Sequence, residues 1–219
     1  MIRFLLPLCL LSGAAFAQSA GDEARQARYE SCLKKAQDDP DNAYEDALAW
    51  RMEGGGLPAR HCVAVSLLAL GETREAAERL EAIGHSSTPA PEVAKAEMLS
   101  QAGNAYLLAE APSEARRALD GALKIQPGNP DLLIDRARAL AMLDEYAEAE
   151  SDLSAALEAR GGDALALTLR AEARLYQGEI DAAEADAMAA IDADPENIDA
   201  RLVLGNIRET RRTGEIPDW

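Results

Sequence analysis

The sequence repeats itself every 34 residues. Ala96 to Asn129, Pro130 to Asp163 and Ala164 to Asn197 align without a gap, and the frame runs on from Ile198. One column reads Gly103, Ala137, Ala171 and Gly205; a second reads Ala115, Ala149 and Ala183; a third reads Ala122, Ala156 and Ala190. A fourth reads Pro127, Gly161 and Pro195, while Leu119 shares a column with Leu153, and Leu123 with Leu157 and Ile191. A unit of this length cannot bury its apolar side alone, so a sustained period commits the chain to a stacked array. Alanine fills 46 of 219 positions, so any one alanine match says little. The joint pattern says more: small residues let two helices approach closely, and leucines at helical spacing between them supply the buried stripe. Pro127 and Pro195 close each unit by withholding an amide donor. Each unit therefore reads as helix, short turn, helix.

An earlier unit, 57–84, fits the same frame after a five-residue insertion. Ala64, Ala76 and Leu80 fall in their columns, Ile83 replaces the third alanine, and the extra length is the Pro-containing connector GHSSTPAPE at 84–92. One step further back the match survives little beyond Ala49, so residues 18–56 read as a degenerate helical pair capping the array. The expected organisation is a leader at 1–17, this capping pair, the array at 57–195, and a C-terminal capping helix with a tail at 196–219.

These columns resemble the tetratricopeptide repeat family over roughly residues 57–210. That family usually carries an aromatic near the start of the unit, a Leu-Gly pair and a Tyr three positions after the Gly; here Leu99, Ala102-Gly103 and Tyr106 occupy those places. Arg136 and Arg170 depart from the Leu place and Arg174 from the Tyr place, while Leu204-Gly205 restores the pair. The resemblance implies an all-α, right-handed solenoid whose first helices line a concave groove for an extended peptide or partner helix. By column, that groove would comprise Ser100, Asn104, Leu107 and Leu108, then Ile134, Arg138 and Met142, then Leu165, Thr168, Glu172 and Tyr176, then Leu202 and Asn206. Chaperone-binding members clamp a C-terminal carboxylate with Lys, Asn and Arg. Asn104 matches that set, but Ser100, Asp135, Leu165 and Leu169 hold the other places, which argues against a clamp. Glu97, Asp131, Glu172, Asp199 and Glu209 would add negative charge near the groove mouth, against Arg138, a field that suits a basic or amphipathic partner. Tyr176 is the candidate anchor, because aromatics dominate contact energies; the alternative is a tyrosine packed between helices.

Thirty-nine acidic residues against 22 Lys and Arg leave a formal charge of -17, which opposes binding to phosphate backbones and anionic membranes. Residues 1–17 have the layout of a secretory signal: Arg3, an apolar run from Phe4 to Leu11, then small residues ending in Ala15-Phe16-Ala17. The run is shorter than the roughly 20 residues of a spanning helix, so cleavage after Ala17 and release into a periplasm are expected. In an exported chain the remaining cysteines, Cys32 and Cys62, are expected to pair, with a loop whose closure contributes about 3.5 kcal/mol in the chain-entropy account. His61 and His85 are the only histidines, and no phosphate loop, nucleophile elbow or zinc-binding helix appears. Gly54-Gly55-Gly56 reads as a helix-ending turn, and Trp50 as core of the capping pair. No catalytic residue, metal or cofactor is expected. The function that results is a non-enzymatic adaptor of the cell envelope, the alternative being a holdase-type chaperone for exported chains.

Overall fold

A computed structural model describes the backbone from Gly13 to Ile216 and side chains from Gly21 onward. Most of the expected leader, and Trp219 in the tail, lie outside the described residues. Eleven helices and no strand occur among those residues. The chain divides into two compact units, Met1–Glu72 and Thr73–Trp219.

The first unit holds α1 (Gly13–Asp38), α2 (Pro40–Met52) and α3 (Gly56–Ala69), each packed against the other two. Pro40 starts α2 at a position where its missing N–H is no loss. The glycine run ends the helix as expected. Gly54 takes φ +87°, its N–H donates to the Arg51 carbonyl, and the Gly55 N–H donates to that of Trp50. A Cβ on Gly55 would lie 2.6 Å from the Trp50 indole, so the turn also needs glycine for closeness. Trp50 is buried, with the Arg28 guanidinium 5.0 Å from its ring centroid. Cys32 of α1 and Cys62 of α3 form a disulfide with Cα atoms 6.3 Å apart. His61 is buried beside it, its Nδ1 hydrogen-bonded to the Tyr29 hydroxyl at 2.6 Å.

The second unit holds α4 (Thr73–Gly84), α5 (Glu92–Leu108), α6 (Pro112–Ile125), α7 (Pro130–Ala141), α8 (Tyr146–Ala159), α9 (Ala164–Tyr176), α10 (Ile180–Ala193) and α11 (Ile198–Thr213). It is an α-solenoid in which α5/α6, α7/α8 and α9/α10 are successive repeats, with α4 before them and α11 after. The first helices α5, α7, α9 and α11 touch one another in series, each also packing on its own second helix where it has one. The small-residue columns explain how. Ala115, Ala149, Ala183, Ala122, Ala156 and Ala190 are fully or almost fully buried, with Leu119 and Leu153 between them. At Gly103 the approach is closest: a Cβ there would stand 2.5 Å from Leu119 Cγ. Asn129, Asp163 and Asn197, one repeat apart, cap α7, α9 and α11 by accepting from the amides of Asp131, Ala166 and Ala200.

The departures from the Leu place have a structural cause. Arg136 reaches from α7 to set Nε and Nη2 on the two carboxylate oxygens of Asp152 in α8, both at 2.7 Å, and Nη1 on Asp120 of α6. Arg170 does the same to Asp186, with Nη1 on Ser154. A second rung repeats beside it, Arg174 to Glu150 and Arg208 to Glu184. Arg136, Arg170, Arg174 and Arg208 thus tie first helices to second helices.

Candidate functional site

The face formed by the first helices is where the second unit leaves apolar surface uncovered. Among the described residues from 73 onward, the exposed large apolar side chains are Val93 and Leu108 on α5, Met142 capping α7, Leu165 on α9, Ile198 and Leu202 on α11, and Met188 on α10. Six of these seven belong to first helices, although second helices have nearly the same total length, so the asymmetry marks a face rather than scattered exposure.

The expected groove residues divide in three. Leu108, Met142, Leu165, Leu202 and Arg138 are exposed and available to a ligand. Ser100, Asn104, Glu172, Tyr176 and Asn206 are half-buried. Leu107, Ile134 and Thr168 are buried, at 7%, 4% and 4% exposure, and belong to the packing beneath the face. Leu107 and Ile134 lie where helix neighbours cover them. Thr168 is occupied twice, its hydroxyl donating to the Ala164 carbonyl at 2.7 Å and accepting from Asn197 Nδ2 at 3.2 Å. Column matching placed these three correctly on the first helices but could not tell a lining side chain from one a step around the helix.

The polar groups of the face are mostly matched within the protein. Asn104 Nδ2 donates to Asp135 Oδ2 at 2.7 Å, joining α5 to α7, and Arg138 stands 3.7 Å from the other carboxylate oxygen. Burial nonetheless pushes the Asp135 carboxyl above the usual range, against the pull of Asn104 and Arg138. Glu97 accepts from Gln101, Asp131 pairs with Arg160 at 2.7 Å, and Glu209 pairs with Arg212. Tyr176 stacks on Tyr146 of α8, ring centroids 4.5 Å apart and planes within 7° of parallel. Of the two roles open to it from the sequence, packing between helices is therefore occupied. Glu172 and Asp199 are different: among the described residues neither has a hydrogen bond or ion pair. Burial, and then the charge of Asp199, push the Glu172 carboxyl up.

Sequence reasoning missed Val93 and Ile198, which extend the apolar face to both of its ends. It also missed the arginine ladders, although a signal existed: Arg136 and Arg170 come with Asp152 and Asp186 in matched columns, whereas the first repeat has Ala102 and Ala118 in those same two places. No group of three or more His, Cys, Asp or Glu side chains arranged for a metal occurs among the described residues. No helix there is long and apolar enough to cross a membrane.

Residues 106–173 match the family model described as tetratricopeptide repeat. The first such domain of Spaghetti (RPAP3), solved bound to the HSP90 peptide SRMEEVD, is similar at 27% identity, covering 55% of this chain and 96% of that one with a TM-score of 0.53. The first domain of human RPAP3 is similar at 27% identity, with 54% and 93% coverage and a TM-score of 0.52. MamA from Desulfovibrio magneticus RS-1 shares the fold over more of the chain, 70% of it and 84% of MamA, with 22% identity and a TM-score of 0.62. No curated protein matches the chain in sequence.

Proposed function

Because the chain is built of tetratricopeptide repeats, we propose that it is a non-enzymatic scaffold of the cell envelope, holding a segment of another protein against the face of α5, α7, α9 and α11. The observation that carries this is the concentration of exposed apolar side chains on those helices. Water-facing Leu108, Met142, Leu165, Ile198 and Leu202 cost solubility without stabilising the fold, which is the expected signature of a surface that another molecule covers. The RPAP3 domain that holds a peptide supports the same use of this architecture. Its peptide SRMEEVD carries three acidic side chains; the carboxylates on this face suit a basic or amphipathic segment instead.

Placement in the envelope rests on the leader-like residues 1–17 and predicts a mature N-terminus at Gln18, read directly by N-terminal sequencing of protein recovered from the periplasm. Binding is tested in cells by a photo-cross-linking amino acid at Leu165 or Leu202, with Met188 on α10 as the control position. One discrete adduct from Leu165 and Leu202, absent from Met188, is the expected result. A smear of many adducts from the same two positions would identify a holdase instead. Equal labelling from all three would remove the first-helix face from consideration.

A further inference from the structure

We propose that the pair Glu172 and Asp199 is a subsite for one lysine or arginine of an amphipathic segment, whose apolar residues rest on Leu165, Ile198 and Leu202 of the same two helices. This rests on the use of the first-helix face as a docking surface and adds the chemistry of the occupant.

The neighbouring carboxylates have partners that these two lack. Glu97 has Gln101, Asp131 has Arg160, Asp135 has Asn104 and Arg138, and Glu209 has Arg212. Every arginine of the interhelical ladders is likewise committed, Arg136, Arg170, Arg174 and Arg208 each to carboxylates on second helices. Glu172 is half-buried on α9, which packs against α11, and it feels the negative charge of Asp199 from that helix; among the described residues neither carboxylate has an ion pair. A half-buried carboxylate without a partner is costly, and a second carboxylate beside it adds repulsion. A cation placed between them removes both costs at once, and the protein does not supply it.

The identity of that cation follows from its surroundings. Two carboxylates fall well short of the six to eight oxygens that hold calcium, and no third acidic, His or Cys ligand joins them. An ammonium or guanidinium needs only one or two carboxylates. Leu165 and Leu202 are about half exposed and Ile198 three-quarters exposed, all on α9 and α11. A free amine would leave them wet. A peptide with a cationic residue beside apolar ones covers them, so charge and apolar exposure select the same ligand class.

The test uses the full-length protein and two labelled synthetic peptides, a leucine–lysine amphipathic sequence and its leucine–glutamate counterpart, with binding read by fluorescence anisotropy. The lysine peptide is expected to bind at least about tenfold more tightly than the glutamate peptide. The double variant Glu172→Gln plus Asp199→Asn should weaken the lysine peptide about tenfold and leave the glutamate peptide unchanged or tighter. Glu148→Gln plus Glu158→Gln, an equal change of charge on α8, should have no such effect. Equal weakening by both pairs would show general attraction to an acidic protein and overturn the subsite. Unchanged binding in the Glu172/Asp199 variant overturns it as well. In that case Leu165→Ser plus Leu202→Ser decides what else falls: loss of both peptides leaves the docking face standing without its cation subsite, and no loss removes the docking face too.

Discussion

Arg170 lays Nε and Nη2 on the two carboxylate oxygens of Asp186 at 2.8 and 2.7 Å, and Asp186 receives a third contact, at 2.7 Å, from Arg174 Nη1. The equivalent carboxylate one repeat earlier, Asp152, is held among the described residues by Arg136 alone. Both aspartates are nearly buried. Removing one partner of a buried pair leaves the other uncompensated, which is more damaging than removing both.

The two repeats should therefore respond differently to the same substitution. Arg136→Leu strands Asp152 and is expected to cost about 3 kcal/mol, whereas Arg170→Leu leaves Asp186 with Arg174 and should cost about 1 to 2 kcal/mol. Adding Asp152→Ala to Arg136→Leu should return most of the loss, since alanine occupies the equivalent place, Ala118, in the first repeat. Urea unfolding of the three variants measures this; equal losses at the two arginines would show that Arg174 does not share the load.

Two glycines of one column predict opposite signs. Gly103 has Leu119 against it, so Gly103→Ala forces the α5–α6 contact apart and should destabilise by about 1 to 3 kcal/mol. Gly205 lies within α11 with nothing inside 4 Å of the position of an added Cβ. There the substitution gains helix propensity without a clash, and Gly205→Ala should stabilise by about 0.5 to 1 kcal/mol. Thermal melts of the two single variants would separate them.

The turns between first and second helices place one residue in the left-handed region. Gly71 and Gly178 do so freely, but Glu110 and Asp144 adopt φ +52° and +60° with side chains attached. Glu110→Gly should stabilise by about 0.5 to 1 kcal/mol as that strain is relieved. Asp144→Gly should gain less, because Asp144 accepts a hydrogen bond from the Tyr146 hydroxyl at 2.8 Å. Chemical denaturation of both variants tests the order as well as the sign.

The period, the alanine columns and the proline stops were legible because each is a local requirement stamped at the same place in successive repeats. The disulfide was legible from the two cysteines, Cys32 and Cys62, that remain beyond the expected leader. The site was only half legible. Column matching names a helix and approximate azimuth, so it grouped exposed Leu165 with buried Thr168, three residues on and almost a full turn around. The Glu172–Asp199 juxtaposition spans 27 positions and two helices, and neither residue carries a motif. Tyr176 illustrates the same limit: its partner Tyr146 sits at the start of the preceding second helix, where no repeat column pairs the two.

Glu172 also makes stability depend on pH in a defined direction. Burial first, and then Asp199 of α11, raise its folded pKa above the ordinary glutamate value; Tyr146 of α8 also feels its charge. An acid raised in the folded state favours folding while protonated, and that contribution is lost as pH rises through the raised value. Glu81 works in the opposite sense: burial pushes it up, but the Arg117 guanidinium and Tyr106 hydroxyl outweigh burial and hold it low, so its contribution is lost as pH falls. A pH series on the wild type alone would mix the two. Comparing Glu172→Gln with wild type isolates the first, because glutamine resembles the protonated acid at every pH. The variant should melt at a higher temperature than wild type at pH 7, and the gap should close below about pH 4, where the wild-type carboxyl is protonated in both states. A variant that melts lower at pH 7 would mean that Glu172 has a cationic partner in the free protein, and the cation subsite would fall with it.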